Sequence, residues 1–331
     1  MTESGIGVPV VIAGLGDIGR AVARAVLSRP ELRLVGAVDP SQDLAGKPLE
    51  ALLGVPCPEL MVEATSARAF AAARGGVLLQ ATGSTFTSVL DQIEDAVQSG
   101  LSVVSTCEEL AYPWLRYEDR AERLDALCEE HDVAVIGTGV NPGFVLDRLP
   151  AFLSQVVGTV RHIKVVRVVD ASTRRASLQR KIGAGLSEEA FHDAVDQGSI
   201  GHVGLAESAT LAALGCGLEL DEVDEEIEPL VAEEDFDGAL VPVKHGQVAG
   251  LQHVVRGFSE GKELVRLDLT IAIGAEDPRD EVELDADPPL RLVIPGGVAG
   301  DDATAWAVVN AVLPVTLLHG LVTVLDLPSG R

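Results

Sequence analysis

The chain is short of bases, aromatics and cysteines, and each shortage removes a class of function. Twenty-five basic residues face 51 acidic ones, for a formal net charge of −26. That balance offers no electrostatic footprint for nucleic acid or for an anionic membrane surface. The acidic excess is read as solubility and carries no function of its own. Aromatic residues make up only 3% and form no basic-aromatic patch. The four cysteines (Cys57, Cys107, Cys128 and Cys216) include no Cys-x-x-Cys pair. They supply neither a disulfide framework nor a zinc site, and they fit a reducing cytoplasm. His162, His192, His202, His245, His253 and His319 show no metal-ligand spacing, so no metal is expected; His202, in "GHVGLAES", either caps a helix or faces a cleft. The opening "MTESGIGVPVVIAG" has no basic n-region and no long apolar core. A signal peptide and a membrane span are therefore not expected.

What is abundant is glycine, at 34 residues, within a 47% hydrophobic chain of 331 residues. This length accommodates two domains with separate cores. The clearest segment is "VPVVIAGLGDIGRAVARAVLSRPELRLVGAVD". An apolar strand over Val8 to Ala13 meets Gly14-x-Gly16-x-x-Gly19 and a helix, and a second strand over Leu32 to Val38 ends in Asp39. The three glycines suit a tight turn, close approach of backbone to a pyrophosphate, and close helix–strand packing. Free N–H groups at Asp17 and Ile18 would face the phosphates. Asp39 stands where an acid bonds the adenosine ribose. It favours NAD over NADP, because a carboxylate repels a 2′-phosphate; Lys47 and nearby arginines leave NADP open.

The alternation continues through "GGVLLQATGST", a helix over "TSVLDQIEDAVQSG", "LSVVSTCEE", a helix over "EDRAERLDALCEEH", and "VAVIGTGVNPGF". Near-continuous apolar strands alternating with helices predict a doubly wound parallel sheet, with ligands at the carboxyl ends of its strands. Those ends carry Thr82, Gly83 and Ser84, then Thr106 to Glu109, then the loop from Thr138 through Asn141 and Pro142 to Phe144. They are assigned to the nicotinamide cofactor and its substrate.

Among these small residues only Glu108 and Glu109 are strand-end carboxylates. One reading makes them the solvated start of the next helix, where acids suit the dipole. A second reading is chemical. An amine is protonated near neutral pH and must lose a proton before its C–H leaves as hydride. A partly buried glutamate can hold that ammonium and take the proton. Cys107 offers a rival as a thiolate nucleophile, although two adjacent carboxylates oppose the thiolate.

Beyond about Pro150 the pattern changes. "TVRHIKVVRVVDAS" reads as a long alternating strand, with helices around "SEEAFHDAVDQ" and "HVGLAESATLAALG". The acidic run "ELDEVDEEIEPLVAEEDFDG" reads as a solvated, partly stranded connection. Two strands meet at Ser259-Glu260-Gly261-Lys262, a hairpin signal. "PLRLVIPGG" is a further strand, and "DDATAWAVVNAVLPVTLLHG" a helix bent at Pro314. The expected division is a dinucleotide-binding domain over 1–145, a substrate and dimerisation domain over 146–300, and a helix over 301–331 packing back on the first and closing the cleft.

"GTGVNPGFVLDRLP", "VVRVVDASTRRASLQRKIGAGLSEEAF", "GHVGLAES" and "IPGGVAGDDATAWAVVNAVLPV" resemble the 2,4-diaminopentanoate dehydrogenase family, a group related to dihydrodipicolinate reductase that includes amine dehydrogenases. The resemblance covers nearly the whole chain. Its most specific segments are Asn141-Pro142-Gly143-Phe144 and Lys181-Ile182-Gly183-Ala184-Gly185. It implies a Rossmann domain, a second α/β domain with an open mixed sheet, and a homodimer. It also implies NAD(P)-dependent, reversible deamination of an amine to a carbonyl compound and ammonia. The family's catalytic glutamate matches Glu108, with Glu109 as second candidate. Phe144 matches an aromatic of the substrate pocket, and Arg167 a strand position that holds the substrate carboxylate in members acting on amino acids. Val169 and the "LTIAIGA" strand make that pocket more apolar. The alternatives are an imine or carbonyl reductase that does not use ammonia, and a dinucleotide-binding protein without turnover.

Overall fold

The computed structural model describes residues 7–236 and 240–330. The opening Met1 to Ile6, read above for a signal peptide, and residues 237–238 of the acidic run lie outside the described residues. Two compact units divide the chain: one joins the residues through Phe144 to those from Ala299 onward, and the other spans Val145–Val298.

In the first unit, strands β1 (Val8–Ala13), β2 (Leu32–Val38), β3 (Val62–Glu63), β4 (Val77–Gln80), β5 (Ser102–Ser105) and β6 (Ala134–Gly137) alternate with helices. These are α1 (Asp17–Leu27), α2 (Leu49–Leu53), α3 (Ala67–Ala72), α4 (Phe86–Gln98) and α5 (Trp114–His131). The second unit holds α6 (Arg148–Ser154), β7 (His162–Asp170), α7 (Ala176–Lys181), α8 (Glu188–Asp196), α9 (Leu205–Gly215), β8 (Glu222–Val231), β9 (Val248–Ser259), β10 (Lys262–Ala272), β11 (Arg279–Asp285) and β12 (Leu290–Pro295). The chain then returns to the first unit with α10 (Gly300–Val315) and β13 (Gly320–Val322).

The first sheet has the order β13-β6-β5-β4-β1-β2-β3, and every neighbouring pair is parallel. The chain winds outward from β1 to β3 and then returns to β4 on the other side of β1. That reversal is the switch point where doubly wound sheets receive ligands. Both faces are covered, which is why the strands lack polar alternation. Val11, Leu78, Val103 and Val135 pack with Phe70, Ile93 and Leu124 of α3, α4 and α5. Val10, Ile12, Leu79, Val104 and Ile136 are also buried, and α1 and α10 lie against the strands. Arg29 Nη1 ties the two helices by donating to Asn310 Oδ1 at 2.8 Å.

Two helices differ from the sequence reading. The predicted helix over 118–131 begins earlier, at Trp114, and kinks at Tyr117. Pro314 does not bend a longer helix; it sits in the last turn of α10, which stops at Val315.

The second sheet is open and mixed, in the order β12-β11-β7-β10-β9-β8, with β7 and β10 parallel and the other pairs antiparallel. Its hairpin closes as the sequence predicts: Ser259 pairs with Lys262, and Glu260 and Gly261 take φ of 51° and 74°. Two successive positive φ values make a type I′ turn, whose twist matches the strands. The acidic run is more ordered than expected. Half of it is the ten-residue edge strand β8, with Glu222, Asp224, Glu225, Glu226 and Glu228 exposed. Such charge blunts pairing of the sheet edge with other chains. Both the doubly wound parallel sheet and the open mixed sheet are present as the sequence implies. Among the described residues no helix is long and apolar enough to cross a membrane, and no group of three or more His, Cys, Asp or Glu could hold a metal ion.

Candidate active site

The glycine turn after β1 divides its labour. Gly14 has φ of +86°, and a Cβ there would lie 2.4 Å from the Ala81 carbonyl oxygen. A Cβ on Gly19 would lie 1.8 Å from the Gly14 oxygen. Those two glycines are required by packing. A Cβ on Gly16 would meet nothing within 4 Å, so this position faces open space in front of the α1 N-terminus. Gly16 is the helix N-cap and makes no side-chain capping bond, which leaves the first-turn amides at Asp17 and Ile18 to a ligand. Asp39 is held against the turn: Oδ2 accepts from Leu15 N at 2.8 Å and Oδ1 from Ser41 N at 2.9 Å.

These features fit a dinucleotide. An open, capless helix start and a fixed acid at the end of the next strand are what a pyrophosphate and a ribose require. The division of labour makes a prediction. Gly16→Val should change stability by no more than about 0.5 kcal/mol yet weaken cofactor binding about tenfold or more, equivalent to about 1.4 kcal/mol of lost contact. Gly19→Ala should instead destabilise the fold by about 1–3 kcal/mol through overpacking. Thermal unfolding beside calorimetric titration with NADH and NADPH separates the two effects.

The strand ends stay in register for one residue past each strand. Ala81 N donates to Ala13 O at 2.8 Å, Thr106 N to Gln80 O at 2.9 Å, and Thr138 N to Ser105 O at 2.8 Å. The loops that start at Ala81, Thr106 and Thr138 therefore leave the sheet side by side. After β5 the chain tightens into a 3-10 turn over Glu109–Ala111. That turn lies on the bare Cα of Gly137, where a Cβ would stand 2.5 Å from the Leu110 carbonyl carbon.

Here the two glutamates separate. Glu109 is 9% exposed, and its Oε2 accepts from Phe86 N, the first residue of α4, at 2.7 Å. It supplies from outside the cap that α4 lacks, since Thr85 makes no side-chain capping bond. Glu108 precedes the turn and is half-buried. The reading of both as a solvated helix start is corrected: α5 begins only at Trp114, and one carboxylate is buried. Cys107 is 1% exposed, and burial, reinforced by Glu108 and Glu109, pushes its thiol up to about 12. A thiol so disposed does not supply a thiolate near neutral pH.

The loop after β6 is equally tight. Gly143 has φ of +129°, and a Cβ there would lie 2.3 Å from Gly139 N. Val140 N donates to Thr304 Oγ1 of α10 at 3.4 Å. Asn141 Oδ1 is buried without a hydrogen-bond partner, an acceptor whose desolvation a bound donor would offset. Pro142 is buried and Phe144 exposed. Thr82 is exposed, while Gly83, Ser84 and Thr106 are half-buried.

In the second unit, Arg167 is 4% exposed on β7. Its Nη1 donates to both Asp280 oxygens at 2.8 Å and its Nη2 to Val298 O at 2.8 Å, with Asp280 directly opposite on β11. Val169 is half-buried. His202 is not the cap of α9, which is Gly204; its backbone N donates to Nδ1 of the buried His253 at 3.4 Å, and His253 Nε2 meets Glu225 at 3.1 Å.

The sequence reading missed a polar chain made by the buried Gln80 and Ser105 at the ends of β4 and β5 and by Gln92 of α4. Its signal is a polar residue closing each of two strands, in "VLLQ" and "SVVS".

Residues 144–331, more than half of the chain, match the family model described as the 2,4-diaminopentanoate dehydrogenase C-terminal domain. The chain belongs to the 2,4-diaminopentanoate dehydrogenase family. It is 28% identical to the 2,4-diaminopentanoate dehydrogenase of Acetoanaerobium sticklandii over 98% of this chain and 94% of that protein. It is 27% identical to an amine dehydrogenase of Streptomyces virginiae over 66% of this chain and 62% of the relative. Among solved structures, the amine dehydrogenase of Mycobacterium smegmatis shares the fold of this family member at a TM-score of 0.85, with 21% identity over 98% of this chain and 97% of that one. Dihydrodipicolinate reductase of Paenisporosarcina sp. TG-14 shares it more distantly, at a TM-score of 0.50 and 14% identity over 97% and 98% of the two chains.

Proposed function

We propose that this family member is a nicotinamide-dependent amine dehydrogenase that converts an amine to a carbonyl compound and ammonia, reversibly, with Glu108 as general base. The observation that carries the reading is the division between the adjacent carboxylates. Glu109 is buried and bonded to the start of α4, while Glu108 is half-buried in the turn at the carboxyl end of β5. The amine chemistry of the named relatives supports the same reading.

Gly14, Gly16 and Gly19, the amides of Asp17 and Ile18, Asp39, Thr82, Gly83, Ser84, Thr106, Asn141 and Pro142 would hold NAD(P). When bound, the nicotinamide accepts hydride from the amine carbon or returns it. Glu108 holds the substrate ammonium through its charge and takes one proton, freeing the nitrogen lone pair that expels the hydride. Water then adds to the resulting iminium carbon, losing its proton to Glu108 once the first proton has passed to solvent. The carbinolamine collapses to the carbonyl compound and ammonia. In the reverse direction Glu108 protonates the carbinolamine hydroxyl as water leaves. Phe144 would serve as an apolar wall of the substrate pocket. Arg167 does not enter this mechanism, because Asp280 and Val298 engage its guanidinium. The proposal extends to a homodimer, which light scattering in solution checks.

The test is oxidation of NADH and NADPH with a carbonyl panel running from 2-amino-4-oxopentanoate to simple ketones and aldehydes, with and without ammonium. Turnover is expected only with ammonium, and faster with NADH than NADPH because of Asp39. Equal turnover without ammonium would move the protein to the imine and carbonyl reductases. Tight cofactor binding with no turnover anywhere on the panel would make it a binding protein.

A further inference from the structure

The turn that carries Glu108 hangs from a chain of side chains, buried at Ser105 and Gln80, whose polarity is set from one end. Cys107 N–H is a backbone donor, and it donates to Ser105 Oγ at 2.9 Å. The serine proton must therefore go elsewhere, and it goes to Gln80 Oε1 at 2.5 Å. That bond fixes which way the Gln80 amide points, so its Nε2 donates to Gln92 Oε1 at 3.1 Å. Gln92 Oε1 also accepts from Thr82 Oγ1 at 3.1 Å. Gln80 and Ser105 are 1% and 0% exposed, so each lost bond would strand a polar group away from water. The chain runs from the Thr82 loop, through the ends of β4 and β5, to the residue immediately before Glu108.

We infer that Ser105, seconded by Gln80, is a positioning residue that fixes the Cys107–Glu108 turn relative to the Thr82 loop, and so sets where the Glu108 carboxylate meets the reacting nitrogen. This rests on the reading of Glu108 as the base. A group misplaced by about 1 Å can lose on the order of 100-fold in rate, and the Ser105 hydroxyl holds the first peptide of this turn directly.

The experiment is a double-mutant cycle between Ser105→Ala and Glu108→Gln, read by kcat, by KM for cofactor, by calorimetric cofactor Kd and by thermal unfolding. Ser105→Ala alone is expected to lower kcat on the order of 10- to 100-fold, with cofactor Kd and KM within about twofold. Added to Glu108→Gln, it should lower kcat by less than about twofold further, because residues acting through one another are not additive. If Ser105→Ala does not fold, Gln80→Met, which breaks the chain one link further out, is run through the same cycle with the same expectation. Equal losses in both backgrounds, or an unimpaired single variant, would overturn the positioning role and leave the base assignment standing. Full turnover by Glu108→Gln alone would overturn the base assignment and the positioning role together.

Discussion

Glu108→Gln is expected to lower ammonium-dependent turnover by about 10²–10⁴-fold, the usual contribution of a general acid or base, with little change in stability or cofactor affinity. The amide keeps the shape of the side chain and its hydrogen-bonding length, but it can neither take a proton at neutral pH nor neutralise an ammonium. Glu109→Ala should show the opposite profile. Its carboxylate is buried on Phe86 N, so removal leaves the first turn of α4 without its acceptor, at a cost of about 0.5–2 kcal/mol as for other lost caps. Thermal unfolding beside steady-state kinetics distinguishes the two residues. A Glu108→Gln enzyme that keeps its turnover, set against a folded but inactive Glu109→Gln, would reverse the assignment.

The pair also shows how far the sequence could be read. That two carboxylates stand at the end of an apolar strand is visible from spacing alone. Which of them is buried is not, because the group that claims Glu109 is an amide 23 residues away in the chain. The glycine turn, α1 and Asp39 were legible because their signals are local: hydrophobic period, glycine spacing, and an acid at a fixed distance. The hairpin at Glu260-Gly261 was legible for the same reason, since two residues specify its turn.

Elements whose stability comes from distant partners were not. "RDEVELD" has the composition of a solvated loop, yet it forms β11, inside the second sheet between β7 and β12. Its charges are matched: Asp280 by Arg167 across on β7, and Glu281 by Arg291 across on β12 and by Arg279 two residues back on β11 itself. β8 was read only in part, inside a partly stranded acidic connection, and β13, three residues at the rim of the parallel sheet, was not read at all. Gln80 and Ser105 read as strand residues, and their meeting depends on β4 and β5 being neighbours in the sheet, which local sequence does not state.

The second large effect is expected at β11. Asp280→Ala should destabilise the protein by about 3–5 kcal/mol, because it leaves the guanidinium of Arg167 buried with its carboxylate gone. What is lost is the match and not a large net attraction: burial lowers the pKa of Arg167 and raises that of Asp280, each against the pull of the other. Desolvation therefore consumes much of what the pair gains. Replacing both partners, as Arg167→Met with Asp280→Leu, should consequently recover most of the stability, leaving only the Val298 N–H and carbonyl that the pair also bonds. Val298 is half-buried, so water can serve those groups. Chemical denaturation of the two single variants and the double variant measures the cycle. The double variant also separates structure from specificity. If Arg167 acts only as the tie between β7 and β11, its KM for an acidic carbonyl such as 2-amino-4-oxopentanoate should shift no more than its KM for a simple ketone. A selective rise for the acidic compound of about tenfold, worth about 1.4 kcal/mol, would instead place a substrate carboxylate on this arginine.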